Sequence, residues 1–418
     1  MRAGHRSCVA RTKAVEGGDT VMTVPSHVLA HALCFDGPVY VYDLAVLRQR
    51  LARLEALPVR RKRIHFATMA NDNPQVLCEI AAAGHGVFVN SARHLALALS
   101  AGFTPNRVIF ASSNMTAAEM RHCHTCGVHL VLDSLAQVET FDSLASPGTA
   151  VGVRVNVGSA IDTPEIGNEP SYRFGLLPAE LNAAVERVRR LRICGVHSYF
   201  GTDIMAPETL AEGLRRLVRV AASLPDLSYV DSGGGLGVPE DPDAPEFDLK
   251  TYGGLAAAEL AELESRLGRP IELVIEPGRW LVAPIGWFFA RVVDIKRRPD
   301  RIFAGTSASV AQFPRPLVYP DRAHHACEIM TGERPRALAD RPVWLSGNST
   351  YSRDFLARAV TLPEPEVGDL IAFHHAGAYC RSMVTRFLGK EMPAEIALNA
   401  TVRHNARPEQ AALLSVAD

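Results

Sequence analysis

Two short stretches carry residue types and spacings suited to holding a charged ligand: Asp231-Ser232-Gly233-Gly234-Gly235-Leu236-Gly237 and Glu276-Pro277-Gly278-Arg279. Three consecutive glycines leave backbone N–H groups uncovered, which suits the close approach of a phosphate. A glycine run can equally be a bare tight turn, so the loop alone decides little. The second stretch adds a carboxylate and a guanidinium, whose planar fork matches phosphate or carboxylate oxygens. Glu276 and Arg279 by themselves could be a structural ion pair. Beside the glycine loop they make a phosphate cup, provided the fold brings the two stretches together.

The elements around them predict that it does. Short β-branched runs recur at 63–69, 86–90, 107–111, 129–133, 151–156, 193–199, 228–231 and 272–276. Between them lie segments with helical spacing of apolar residues, at 73–83, 92–101, 134–145, 178–190, 207–223 and 252–267. Eight alternations of strand and helix are the pattern of a closed parallel barrel, whose ligand chemistry sits where strands end and loops begin. The glycine loop follows the seventh run and Glu276 ends the eighth, a place where such barrels often bind phosphate. After about residue 285 apolar strands such as 287–294 and 343–346 follow one another with turn signals and no helices. The fold class expected is therefore α/β, an eight-stranded β/α (TIM-like) barrel plus a C-terminal all-β domain. The expected division is a flexible tail over 1–24, a strand segment over 25–45 that adds to the β domain, the cofactor-binding barrel over 46–285, and the β domain over 286–418.

Bulk composition narrows the function class. A net charge of -1 over 418 residues gives no electrostatic footprint for nucleic acid or an anionic membrane surface. No apolar run approaches the ~20 residues of a membrane span. The eight cysteines are scattered and read as reduced, mostly buried thiols. A cytoplasmic protein with a small-molecule ligand is expected.

The order of Gly233-Gly234-Gly235-Leu236-Gly237, Glu276-Pro277-Gly278-Arg279, Arg315-Pro316-Leu317-Val318-Tyr319 and Ala376-Gly377-Ala378-Tyr379 resembles the fold type III pyridoxal-phosphate decarboxylases, of the diaminopimelate and ornithine decarboxylase type. Arg154-Val155-Asn156, Arg173-Phe174-Gly175 and Val39-Tyr40-Val41-Tyr42-Asp43 extend the likeness, which covers roughly residues 36 to 390. The resemblance implies pyridoxal 5'-phosphate as cofactor and an amino-acid substrate. Glu276 would pair with the pyridine nitrogen and strengthen the ring as an electron sink. Gly233, Gly234, Gly235, Gly278, Arg279 and Tyr379 would hold the phosphate, with Arg154 also on the cofactor. Arg279, Arg315, Tyr319, Tyr351, Asp354 and Tyr379 would face the substrate. A homodimer with shared active sites is likewise implied.

Three catalytic positions depart from that family. Its first barrel strand ends in a stretch like YAVKAN, whose lysine anchors the cofactor as a Schiff base; here the stretch is Phe66-Ala67-Thr68-Met69-Ala70-Asn71. Only five lysines occur in the chain, Lys13, Lys62, Lys250, Lys296 and Lys390. Lys62 opens the first strand, ~20 Å from its end at the rise of an extended chain, so it cannot substitute. The family's ring-stacking histidine aligns with Tyr199, and His197, two residues earlier, shares its face. The family's Cys-Glu, which acts across the dimer, aligns with Thr350-Tyr351 and loses its thiol. Three readings of Met69 stand open: an engineered near-isostere of lysine, an enzyme that uses the cofactor without an anchor, and a protein that only binds a ligand.

Other clusters carry less. Arg121-His122-Cys123-His124-Thr125-Cys126 contains a C-x-x-C but lies on a helix with no second ligand pair at a supporting distance, so no metal is expected. His324-His325 and His374-His375 are read as satisfied or surface histidines. The function expected is a pyridoxal-phosphate-dependent amino-acid decarboxylase, inactive or trapped as it stands. The alternatives are a non-catalytic binder, or the same fold with altered chemistry such as racemisation or amine condensation in specialised metabolism.

Overall fold

The computed structural model describes residues 23–158, 173–239, 244–321, 323–330 and 336–401. They form two compact units. The expected tail falls almost entirely outside the described residues.

One unit is a closed barrel of eight parallel strands: β2 (Lys62–Ala67), β3 (Gly86–Val89), β4 (Val108–Ala111), β5 (His129–Leu132), β6 (Thr149–Arg154), β7 (Leu191–His197), β8 (Tyr229–Asp231) and β9 (Glu272–Ile275), with β9 pairing back onto β2. Helices intervene, and their starts follow ordinary capping rules. Asn73, Ser91 and Ser134 each accept backbone N–H bonds in the first turn of the helix they precede. Thr116 and Glu119 form a reciprocal capping box. The helix expected over 178–190 stops at Arg187, because the Asp142 carboxylate takes the N–H groups of Arg189, Arg190 and Leu191. The helix expected over 252–267 begins earlier, at Leu249, under an Asp248 cap.

Strand ends also move. The apolar runs suggest strands reaching Met69, Asn90, Asp133, Asn156, Tyr199 and Glu276. The ladders stop at Ala67, Val89, Leu132, Arg154, His197 and Ile275. Each of those residues thus stands past the last strand residue, at the barrel's C-terminal mouth.

The barrel interior is filled by side chains rather than left as a pore. Tyr229 is fully buried and its hydroxyl lies 2.7 Å from His129 Nε2. Gly195 and Gly152 make room for it: a Cβ at Gly195 would lie 2.0 Å from the Tyr229 ring, and one at Gly152 2.1 Å from its hydroxyl.

The other unit holds an eight-stranded mixed sheet. Its strands are β1 (Val39–Asp43), β10 (Gly286–Arg298), β11 (Arg301–Thr306), β12 (Cys327–Met330), β13 (Val343–Ser346), β14 (Phe355–Val360), β15 (Leu370–Phe373) and β16 (Ala394–Leu398). The long strand β10 pairs with β1 and β15 along its first half and with β11 along its second, with a register shift between Val292 and Asp294. β1 also pairs in parallel with β16. Within the segment read as strand over 25–45, Ser26–Ala32 is instead a helix. Val28 and Ala32, four residues apart on one helical face, enter the core with Val39, Val41, Trp287 and Phe289.

Two adjacent glycines of the helix Leu249–Leu267 give opposite expectations. A Cβ at Gly253 would lie 2.4 Å from Pro58 Cδ, whereas one at Gly254 meets nothing within 4 Å. Gly254→Ala should stabilise the chain by about 0.5–1 kcal/mol through helix propensity, and Gly253→Ala should destabilise it by about 1–3 kcal/mol through overpacking. Paired denaturant midpoints check both signs.

Candidate active site

The glycine loop owes its composition to crowding. Cβ atoms at Gly233, Gly234 and Gly235 would come within 2.6 Å of the carbonyls of Ser198, Glu276 and Gly201, and Gly233 and Gly235 adopt positive φ. Only glycine lets this loop lie so tightly between its neighbours. The Glu276 N–H donates to the Gly233 carbonyl at 2.7 Å, and the Ala67 N–H to the Pro277 carbonyl at 3.4 Å. The loop after β8, the turn after β9 and the end of β2 are thereby tied together, as the cup requires.

Glu276 does not pair with Arg279. Arg279 Nε lies 2.8 Å from Asp203 Oδ1. Glu276 is buried instead among His197 and Asp231, and one ligand-type atom from each of the three lies within 4.8 Å of the others. His197 Nε2 is 3.4 Å from Glu276 Oε2, yet neither imidazole nitrogen makes a hydrogen bond. Burial pushes the His197 pKa down to about 4, so this is a contact between a neutral imidazole and a carboxyl group, not an ion pair. Burial also pushes Glu276 up to about 8, and Asp231, fully buried beside it, well above the ordinary carboxyl value. With no cation beside them, two buried carboxylates this close do not both ionise.

The rest of the mouth is polar and already connected. Arg154 lies 3.9 Å from Asp133 and 4.4 Å over the Phe174 ring. Asp133 accepts from Ser113 Oγ and from the Gly175 N–H. The Tyr199 hydroxyl is 2.5 Å from Thr202 Oγ1, and its ring lies against Gly233 and Gly234. His197 is deeper, stacked on Phe88 at 5.8 Å. Met69 is half-buried and packs against the apolar cluster that includes Phe88, Val131, Cys194, Tyr229 and Val274. Asn90 Nδ2 lies 3.9 Å from its sulfur. Lys62 is at the opposite end of β2, donating to the carbonyls of Leu57 and Val59.

The remaining expected residues belong to the sheet unit. Arg315 is buried; its Nη1 is 3.1 Å from His325 Nε2, while His325 Nδ1 donates to the His374 carbonyl. Thr350 is exposed, Tyr319 is 37% exposed and Tyr351 meets Phe387 edge-on. Asp354 is buried and its carboxylate accepts from Val310 N–H, Ser349 N–H and Ser349 Oγ, so it braces its own loop. Tyr379 is half-buried with φ 54°. In the helix Ala117–Thr125, Cys123 is buried and Cys126 lies 3.8 Å from His122 Nε2. The site residues left without an individual role by the sequence are Asp231, Asp133, Asn90 and Phe174. The one available signal was position, since each acid closes a strand or stands directly after it.

Residues 44–283 match the pattern of the family described as pyridoxal-dependent decarboxylase, pyridoxal binding domain. The chain belongs to that family. It is 30% identical over 375 residues to the diaminopimelate decarboxylase of Methanothermobacter thermautotrophicus, covering 86% of each chain. It is 31% identical over 382 residues to that of Deinococcus radiodurans, covering 90% of this chain and 94% of the relative. The crystal structure of the Helicobacter pylori diaminopimelate decarboxylase complexed with L-lysine superimposes with a TM-score of 0.81 at 25% identity, over 90% of this chain and 95% of that one.

Membership of the family implies pyridoxal phosphate, and the mouth fits it. Glu276 Oε1 and Asp231 Oδ2 are buried with no hydrogen-bond partner in the protein, as a site awaiting a ring N–H requires. Tyr199 offers an aromatic face beside a loop too tight for any Cβ.

The titrating groups bound the stability of the cofactor-free chain. His65, His129 and His197 are pushed by burial to about 3, 4 and 4, so they refuse protons that the unfolded chain accepts below its ordinary 6.5, and their contribution is complete above that pH. Glu276 keeps its proton to about 8, so its contribution is lost as pH rises through that value. The thermal midpoint should fall between pH 6.5 and 8 in the cofactor-free protein, and Glu276→Gln should flatten that decline; scanning calorimetry across the range reads it.

Proposed function

We propose that the barrel mouth binds pyridoxal phosphate without a covalent anchor and receives an amino acid of the diaminopimelate or ornithine class, with decarboxylation very slow or absent. The observation that carries this reading is Glu276, buried at the mouth with an oxygen awaiting a partner. A simple phosphate binder has no need of such a group. The cofactor, when bound, supplies an aldehyde for an amino group and a ring that accepts the electron pair left by a departing carboxylate.

Every other role falls to this chain's residues. Glu276 faces the ring nitrogen and keeps it protonated. Tyr199 covers a ring face, with His197 beneath. Gly233, Gly234, Gly235, Gly278 and Arg279 take the phosphate; Arg279 does so while balanced by Asp203. Arg154, steadied by Asp133, sets the field at the mouth. Arg315, Tyr319 and Tyr351 are assigned to the substrate; Asp354 supports its own loop through Ser349 and Val310, and Thr350 lacks the acidity of a thiol. Met69 has no amine, so exchange of substrate for lysine on the cofactor does not occur, and turnover suffers accordingly.

The packing of Met69 onto the barrel core and the exposed Thr350 favour a second reading, a cofactor-binding protein without catalysis. In either reading the assembly proposed is a homodimer with shared sites, since in the family resembled the segment Thr350 to Asp354 and Tyr379 complete the site of the other subunit. The cytoplasm is the proposed location, in keeping with the seven described cysteines all being free. No helix among the described residues is long and apolar enough to cross a membrane.

Three measurements test these statements. Borohydride reduction of the cofactor-loaded protein, followed by peptide mass analysis, should find no pyridoxyl-lysine; an adduct on Lys62, Lys250 or Lys296 would refute the unanchored site. Met69→Lys should fold with a change under about 1.5 kcal/mol, its stem replacing the thioether, and should gain a reducible link to the cofactor. If it gains the link but decarboxylates no diamino acid, the binder reading prevails. Light scattering at micromolar concentration should give a dimer, and a monomer that retains cofactor would remove the shared site.

A further inference from the structure

Asp231 is the last residue of β8, and Glu276 follows the last residue of β9, the strand beside it. Backbone bonds hold both: the Ser232 N–H donates to the Val274 carbonyl and the Glu276 N–H to the Gly233 carbonyl. Asp231 is 0% exposed and Glu276 5%. Asp231 Oδ1 accepts from the Gly233 N–H at 2.9 Å, so one oxygen shapes the glycine loop. Its other oxygen and Glu276 Oε1 have no hydrogen-bond partner in the protein. One oxygen of each carboxyl group lies within 4.8 Å of the other.

The groups packed around the pair leave it without a cation of its own. His197, on β7, is neutral. Arg154, at the end of β6, is shared with Asp133 from the end of β5 and stacks on Phe174. Tyr229, on β8, is a buried phenol whose own ionisation is pushed further up, first by burial. Arg279 is paired with Asp203.

We propose that Asp231 is a positioning residue that shares a single proton with Glu276, and that this proton is given up when a pyridine ring nitrogen takes its place beside Glu276. The inference rests on the reading that the mouth takes pyridoxal phosphate. The charges balance in either case. If the ring nitrogen arrives bare, the proton passes to it, the pair gains one negative charge and the ring one positive charge. If the ring arrives already protonated, the pair's proton leaves to solvent, one for each site filled. The strand-end acid therefore couples cofactor binding to proton release, while its Oδ1 keeps the glycine loop in shape.

Asp231→Asn separates the two tasks. The amide oxygen still accepts from the Gly233 N–H, but its NH₂ donates permanently to Glu276, which then ionises without a shared proton. Infrared spectra of the ligand-free full chain should show a protonated-carboxyl band at pH 7 that is lost in Asp231→Asn and in Glu276→Gln. The affinity for pyridoxal phosphate, read by absorbance, should follow the pair's titration in the wild type with up to a tenfold change per pH unit, and should lose that dependence in Asp231→Asn. Absence of the band in the wild type, or its survival in both variants, overturns the proposal. So does an unchanged pH profile in a folded Asp231→Asn. Should that variant fail to fold, the band in Glu276→Gln still decides. The infrared readout needs no cofactor, so a wild-type chain that shows the band yet binds no pyridoxal phosphate would refute the proposed function and leave the shared proton standing.

Discussion

A closed parallel barrel must be filled from within, and the rest of the site depends on how this one is filled. Tyr229 crosses the interior to reach His129, in space left open by Gly152 and Gly195. Phe88, Cys194, Val131 and Val274 complete an apolar floor. Polar groups above that floor are cut off from water on one side and cannot all be charged. Glu276, Asp231 and His197 are pushed toward neutrality by the same burial that makes the barrel stable. The floor is thus both a stability element and the source of the site's chemistry.

Much of this was legible in the sequence because the barrel repeats one physical pattern eight times. The β-branched runs located all eight strands, and capping residues such as Asn73, Ser91 and Ser134 sit where helices begin. The errors cluster at the mouth. Apolar periodicity carries past the last ladder bond, so strands were drawn too long by one or two residues at Met69, Asn90 and Glu276. Those are the residues a barrel frees from backbone pairing and presents to a ligand. The helix Ser26–Ala32 was missed because a single apolar turn is too short for its period to stand out.

What the sequence could not show was which charge meets which. Glu276 and Arg279 are three residues apart and invite pairing, but the turn sends Glu276 beside Asp231 and Arg279 to Asp203. Asp354 was assigned to substrate by its place in a resembled motif, yet its oxygens are occupied by Val310 and Ser349. Side-chain partners of this kind depend on loop geometry that linear spacing does not encode.

The methionine and the carboxyl pair belong to one electrostatic argument. A lysine at residue 69 would bring an ammonium donor to the mouth, and the family pattern supplies one. Here that position holds a thioether packed on the barrel floor, with Asn90 Nδ2 as a weak neighbour. Arg154 and Arg279, the guanidinium groups of the mouth, each have a carboxylate partner in Asp133 and Asp203. A second negative charge on Asp231 and Glu276 would then lack an ion-pair partner of its own among the described residues. A proton held between the two acids is the remaining way to keep them to one negative charge. It makes the mouth ready for a cationic ring nitrogen, even though Met69 brings no amine with which to hold the ring.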